Sequence, residues 1–269
     1  MLGVRVVKVG GNELGRQTWV AECARALAAA PPVVIVHGGG EAVSAWSRRL
    51  GLPVEKRDGL RVTTPEVAEV VEMVLSGPVN RLLVTALRAA GLDAIGLSGA
   101  DGGLLTARPA PGGLGHVGDI TAVRASLLES LLLAGLTPVV APVAPAAGDP
   151  DVPLNVNADY AAAAVAAALQ AQELLFVSDI PGVEIDGVAQ PTLAASEIEP
   201  LIALGIATNG MAAKLRAAAQ ALAAGVRAVR IGDLEMLENA TAGTRLLAAP
   251  PAPPARPAPA PAPAATQPA

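Results

Sequence analysis

The chain has 269 residues, 52% of them hydrophobic and only 1% aromatic, with a formal net charge of −5. That length can bury a full core as one large or two closely joined α/β units, while an acidic chain nearly free of aromatic rings lacks the basic field and stacking surfaces of a nucleic-acid binder. A single cysteine, Cys23, leaves no disulfide framework and no cysteine-based metal site.

No charged leader with an apolar stretch precedes the first apolar run, and no membrane-grade run is expected, so the chain reads as soluble and cytoplasmic with no membrane partner. Val4–Val9 is apolar and β-branched with Lys8 inside it, and it opens into Gly10-Gly11-Asn12. The pattern predicts a buried parallel strand feeding a turn whose backbone N–H groups can face an anion. By itself a Gly-Gly pair is equally the corner of an ordinary βα turn. Thr18 to Ala30 has helical periodicity and stops at Pro31-Pro32. Val33–Val36 repeats the device: a short apolar strand, then His37-Gly38-Gly39-Gly40, then a helix over Glu41 to Leu50. Two such turns at one sheet edge would form a shared anion cradle.

Gly51 to Val62 reads as a hairpin carrying Lys56, Arg57 and Arg61, followed by a helix from Pro65 to Leu75. Gly77-Pro78 predicts a fresh helix start running to Ala90, with proline in its first turn. Ala94–Gly99 is again strand into glycine turn, and Leu104 to Ile120 predicts a surface hairpin around Gly112-Gly113. A helix over Ala122 to Ala134 and a buried strand over Pro138–Pro142 follow. Leu154-Asn155-Val156-Asn157-Ala158-Asp159 leads into an alanine-rich helix ending at Gln170, and Asp159 in its first turn suits the helix dipole. Leu174–Val177 predicts a strand, and Asp186-Gly187 the turn of a small hairpin. Thr208–Met211 precedes a helix carrying Lys214, and strands are expected at Val226–Ile231 and Gly243–Leu246. From residue 248 the chain is almost only Pro and Ala, expected to be an unpacked tail. Strands alternating with helices throughout predict an α/β fold, a three-layer αβα sandwich around a central, mostly parallel sheet.

There is no Gly-x4-Gly-Lys-Ser/Thr loop, no Gly-x-Gly-x-x-Gly in the first turn, and two histidines are too few for a histidine metal centre. What remains is several glycine turns, three cations set in apolar surroundings (Lys8, Arg61, Lys214) and one Asp among asparagines. That set suits phosphoryl transfer to an acceptor that is already ionised, where catalysis is positioning and charge neutralisation.

At these residues the sequence resembles the amino acid kinase family, and within it the acetylglutamate branch. The markers, in order, are Lys8-Val9-Gly10-Gly11, His37-Gly38-Gly39-Gly40, Gly59-Leu60-Arg61-Val62-Thr63, Gly96-Leu97-Ser98-Gly99, Gly115-His116-Val117-Gly118, Asn155–Asp159 and Gly210-Met211-x-x-Lys214. The resemblance implies one kinase domain over 1–247, with an acyl-substrate side and dimer interface in about 1–150 and a nucleotide side in about 151–247. It implies ATP and Mg²⁺ as cofactors, N-acetyl-L-glutamate as substrate, and a homodimer. Lys8 and Lys214 would hold the transferring phosphoryl, with Asp159 orienting both ammonium groups. Gly10, Gly11, Gly39 and Gly40 would offer N–H groups to the phosphates and the acyl substrate. Arg61 would clamp the substrate α-carboxylate, helped by Asn155 and Asn157. The nucleotide would lie along Asp179, Ile180, Pro181, Gly182, Val183 and Glu184, then Ile206, Ala207, Thr208 and Gly210, with Mg²⁺ riding on its phosphates and no protein metal site.

The chain departs from the family pattern at Tyr160, where a small or polar residue is usual, and at Ala100, where many relatives have lysine. Its start close to the first strand, without the extra N-terminal helix of arginine-inhibited relatives, gives the expectation of an arginine-insensitive dimer. Two other readings stay open: a kinase for a carrier-bound aminoadipate or glutamate, and a non-catalytic amino-acid sensor on the same fold.

Overall fold

A computed structural model describes residues 3–29, 32–57 and 59–248. The Pro/Ala tail from residue 249 lies outside the described residues, so its expected disorder is not addressed. The central sheet has eight strands, in spatial order Thr192–Ala194, Thr244–Leu247, Val229–Gly232, Glu173–Val177, Arg5–Val9, Val33–His37, Thr137–Ala141 and Ala94–Ser98. Neighbours run parallel except Val229–Gly232 beside Thr244–Leu247, which are antiparallel.

The central strands are mostly apolar because both faces are covered. Val6, Val34, Leu174 and Phe176 point into one core with the Ala158–Ala168 and Asn209–Ala223 helices. Val7, Ile35, Leu175 and Val177 point into the other with Gln17–Ala28 and the Pro65–Ala89 segment. The period-two alternation of strand side chains thus splits one valine run between two cores. With the aromatics so few, alanine lets the helices lie close to the sheet: Ala161, Ala162, Ala166, Ala217 and Ala218 are fully or almost fully buried.

One local reading holds and two change. The fresh helix start expected at Gly77-Pro78 is met: Pro65–Val74 and Asn80–Ala89 are two helices joined across a kink, where Gly77 leaves helical geometry at φ −99°, ψ −109°. Pro78 has no N–H to donate and stands where the second helix begins. Together the two span the 25 residues Pro65–Ala89. This segment is long and apolar enough to cross a bilayer by length and composition, yet Val67, Val71, Val74, Leu83 and Leu87 are buried in the protein's own core. The predicted surface hairpin, Leu105–Pro109 with Val117–Val123, is one side of a closed four-stranded barrel completed by Val143–Ala146 and Asp149–Val156. Because the strand continues to Val123, the following helix is shorter than expected, Ala125–Leu133.

Other expectations hold. Glu184–Ile185 and Val188–Ala189 pair as a hairpin, with Asp186 at φ 52° and Gly187 at φ 75°, the two positive angles of a type I′ turn. The Thr64 hydroxyl accepts from Val67 N at 3.3 Å and caps the helix that Pro65 opens.

Candidate active site

The first strand lies between Val33–His37 and Glu173–Val177. The chain leaves it on one side and returns much later on the other, so a crevice opens at the carboxyl ends of these strands. A cleft of about 450 Å³ occupies that crevice. Its lining includes Lys8, Gly10, Gly11, Lys214 and Asp159 together with Gly39, Gly40, Arg61, Asn155 and Asn157. Asp179, Ile180 and Gly210 form a further wall.

The two glycine turns meet backbone to backbone. A Cβ on Gly11 would collide with Gly39 N, and one on Gly38 would stand 3.0 Å from Gly11 N. Among the described residues, the N–H groups of Gly11, Gly39 and Gly40 donate to no protein acceptor. Gly10 differs from the expectation. Its N–H is taken by Val177 O at 3.2 Å, so it is committed to the sheet. Its missing side chain instead leaves room for the Glu13 carboxylate, whose Oε2 occupies the place a Cβ would need.

Lys8, Lys214 and Arg61 are each only 8% exposed. Lys8 Nζ pairs with Asp159 Oδ1 at 3.0 Å. Asp159 is held in turn by Asn157, whose Oδ1 accepts from Asp159 N at 2.8 Å and Tyr160 N at 3.3 Å, a helix cap. The expectation that Asp159 contacts both ammonium groups is met for Lys8 alone, since Lys214 makes no ion pair among the described residues. Burial brings Lys214 down from 10.5 to about 8, with the nearby Lys8 charge adding to the drop while Asp159, Glu13 and Asp179 oppose it.

Arg61 Nη2 donates to Gly40 O and Ser44 Oγ, both at 2.7 Å. Its Nη1 is buried without a partner, leaving one edge of the guanidinium for an incoming acceptor. Burial lowers the Arg61 pKa, with Glu41 opposing and Arg48 adding to that shift. Asn155 Nδ2 donates to Thr63 Oγ1 at 3.2 Å. His37 is fully buried, and burial lowers its pKa to about 4 against a backbone contact at Gly38. It is therefore a neutral prop for the second glycine turn, with Nε2 3.2 Å from Asn80 Nδ2 and Nδ1 2.8 Å from Gly38 O.

The profile of the amino acid kinase family matches residues 3–233. The chain belongs to the amino acid kinase family. It is similar to the acetylglutamate kinase of Chloroflexus aurantiacus, 47% identical over 91% of this chain and 97% of that one. The acetylglutamate kinase of Roseiflexus sp. is 50% identical over 87% of this chain and 90% of its own. The one from Methanopyrus kandleri is 45% identical over 87% and 96%. Among solved structures, a Streptococcus mutans protein superposes with TM-score 0.80 at 30% identity, covering 91% of this chain and 99% of that one. Carbamate kinase from Giardia lamblia bound to AMP-PNP shares the fold, with TM-score 0.69 at 16% identity and 92% and 99% coverage.

Not every residue expected in a family nucleotide site lines the cleft. Pro181, Gly182, Val183, Glu184, Ile206, Ala207 and Thr208 lie outside its lining. Val183 and Ala207 are packed in the core, and Val183 N donates to Thr244 Oγ1 at 2.7 Å. Glu184 stands in the small hairpin and Ile206 is exposed. Tyr160, where the chain departs from the family pattern, lines a separate hollow with Arg108 and Asp119. Two cleft residues escaped sequence reasoning: Glu13, in a one-turn helix just past the glycines, and Ser178, whose buried hydroxyl has no partner. Ser178 directly follows a predicted strand, and that position was its one available signal.

Proposed function

We propose that this protein transfers the γ-phosphoryl group of ATP to the side-chain carboxylate of N-acetyl-L-glutamate, a step of arginine biosynthesis. The observation that carries this reading is one cleft holding two buried lysines beside paired glycine turns, with a buried arginine edge in the same lining. It is supported by near full-length similarity to several acetylglutamate kinases.

A carboxylate oxygen of the substrate attacks the γ-phosphorus, the bond from that phosphorus to the β–γ bridging oxygen breaks, and ADP leaves with the electron pair. The acceptor is ionised at neutral pH, so no general base is required. Lys8 and Lys214 would neutralise the repulsion between acceptor and polyphosphate, and Asp159 would fix Lys8. The free N–H groups of Gly11, Gly39 and Gly40 would take phosphate and substrate oxygens. Arg61 would offer its unpaired Nη1 to the α-carboxylate, with Asn155 and Asn157 beside it. Nucleotide would approach from the second half of the chain, along Asp179, Ile180 and Gly210.

Among the described residues no three His, Cys, Asp or Glu side chains gather as a metal site. The donor set fits a hydrated Mg²⁺ carried on the ATP phosphates, with Asp179 the carboxylate placed to meet it. When bound, that ion would draw charge from the phosphate oxygens.

The deciding experiment is ADP release with free N-acetyl-L-glutamate, free glutamate and carrier-bound aminoadipate. Turnover confined to N-acetyl-L-glutamate is the expected result, and turnover confined to the carrier-bound acid would replace it with the alternative kinase. A homodimer is expected, tested by light scattering.

A further inference from the structure

We propose that Glu13 is a positioning residue of the phosphoryl clamp, its buried carboxylate serving as the counter-charge of Lys214 as Asp159 serves Lys8. The proposal rests on reading the cleft as a phosphoryl-transfer site.

Glu13 is 4% exposed, lines the cleft, and its Oε2 is buried with no hydrogen-bond partner. A carboxylate in that condition is expensive unless a positive charge compensates it. Two of the buried cations in this cleft already have partners: Lys8 is bound to Asp159, and Arg61 is held by Gly40 O and Ser44 Oγ. Lys214 makes no ion pair among the described residues, and Arg61, whose two partners are neutral, makes none either. The position of Glu13 is built into the chain. Its side chain folds back against Gly10, where any side chain would collide with Oε2. The first glycine of the turn leaves room for the carboxylate to lie there, and a side chain at Gly10 would displace it.

Four charged groups act on Lys214, one from each element around it. Lys8 comes from the first strand, Asp159 from the Ala158–Ala168 helix, Glu13 from its own short turn, and Asp179 from the turn after Glu173–Val177. Lys8 and burial favour the neutral amine; the three carboxylates favour the ammonium. Asp159 is neutralised by its contact with Lys8, and Asp179 is exposed to screening solvent. Asp159 acts on Lys214 more strongly than Glu13 does, and Glu13 is the buried one of these carboxylates that makes no ion pair among the described residues. In the empty enzyme Glu13 keeps Lys214 charged; when polyphosphate arrives, the nucleotide takes over that role.

The test is ATP binding by titration calorimetry from pH 6.5 to 9.5, without acyl substrate, for the unmodified protein, Glu13→Gln and Glu13→Asp. In the unmodified protein affinity should fall as pH rises above about 8. In E13Q the fall should begin at least about half a pH unit lower, roughly a twofold weaker affinity at pH 8 and about threefold at pH 9.5. At pH 6.5 E13Q should bind as well or tighter, because a carboxylate no longer repels the phosphates. E13D keeps the charge one methylene further back and should shift the fall by less. A uniform offset at all pH values in E13Q would overturn the proposal, as would an effect seen only with Mg²⁺ present, which would make Glu13 a metal contact. Should E13Q not fold, an unshifted E13D curve overturns it alone. Absence of ATP binding in the unmodified protein would instead refute the kinase reading itself.

Discussion

Lys8 Nζ lies 3.0 Å from Asp159 Oδ1, with the two side chains 10% and 9% exposed. One comes from the first strand and the other from the first turn of a helix in the second half of the chain. The contact therefore ties the two halves together in the lining of the cleft. Asp159→Asn leaves a buried ammonium without its counter-charge, and breaking such a pair typically costs about 3–5 kcal/mol. A lower melting temperature is expected, together with a kcat reduced about a hundredfold as Lys8 loses its placement. The KM for N-acetyl-L-glutamate should change little, and steady-state kinetics beside calorimetry read both effects.

Lys214 should link pH to stability and to function with opposite signs. Its pKa is about 8 in the folded chain against an ordinary 10.5. Between those values the unfolded chain holds more protons, so stability rises as pH climbs through that window, and below it the full penalty for burying the charge applies. Phosphate binding runs the other way, because the cation is lost above pH 8. The KM for ATP should therefore rise above that pH while the melting temperature gains from this group. Lys214→Met should abolish transfer and remove the rise of stability between about pH 8 and 10.5.

Arg61 owes its aim to Gly40 O and Ser44 Oγ, both 2.7 Å from Nη2. Arg61→Ala removes the unpaired Nη1 edge, and a hydrogen bond to a charged group is worth about 1.5–3 kcal/mol. The KM for the acid should rise tenfold to a hundredfold or more, with a smaller change for ATP. Arg61→Lys should not restore it, because an ammonium cannot reproduce the planar fork. Equal losses for both substrates would contradict the carboxylate-clamp role.

Gly11 and Gly40 separate two kinds of glycine. A Cβ at Gly11 would strike Gly39 N, whereas one at Gly40 meets nothing within 4 Å. Gly11→Ala should force the two turns apart, destabilising by about 1–3 kcal/mol and weakening both substrates in titration calorimetry. Gly40→Ala should stay within about 0.5 kcal/mol of the parent and keep ATP affinity.

Asn157→Ala should show a stability loss of about 0.5–2 kcal/mol from the missing cap, since Asn157 Oδ1 receives Asp159 N and Tyr160 N. Because the same cap seats Asp159, kcat should fall with it. An unchanged kcat beside a lowered melting temperature would confine Asn157 to the helix end.

The sequence by itself determined what local chemistry can encode. Valine runs into glycines set the parallel strands and their turns, Asp186-Gly187 set a hairpin by its positive φ angles, and the positions of Lys8, Arg61, Asp159 and Lys214 marked the cleft. Tertiary structure decided the rest. The barrel strand Asp149–Val156 carries two prolines and charged residues and gives no strand period; it is held by Val143–Ala146 just before it and, at Asn155 and Val156, by the more distant Val117–Val123, with a register shift between Asp149 and Pro153. Gly77-Pro78 was legible as a helix restart, but that both helices pack into one core across the kink was not. Which carboxylate serves which lysine was equally hidden. Residue order places Asp159 and Glu13 near glycine turns, but pairing depends on distance and burial, and those exist only once the two halves have folded against each other.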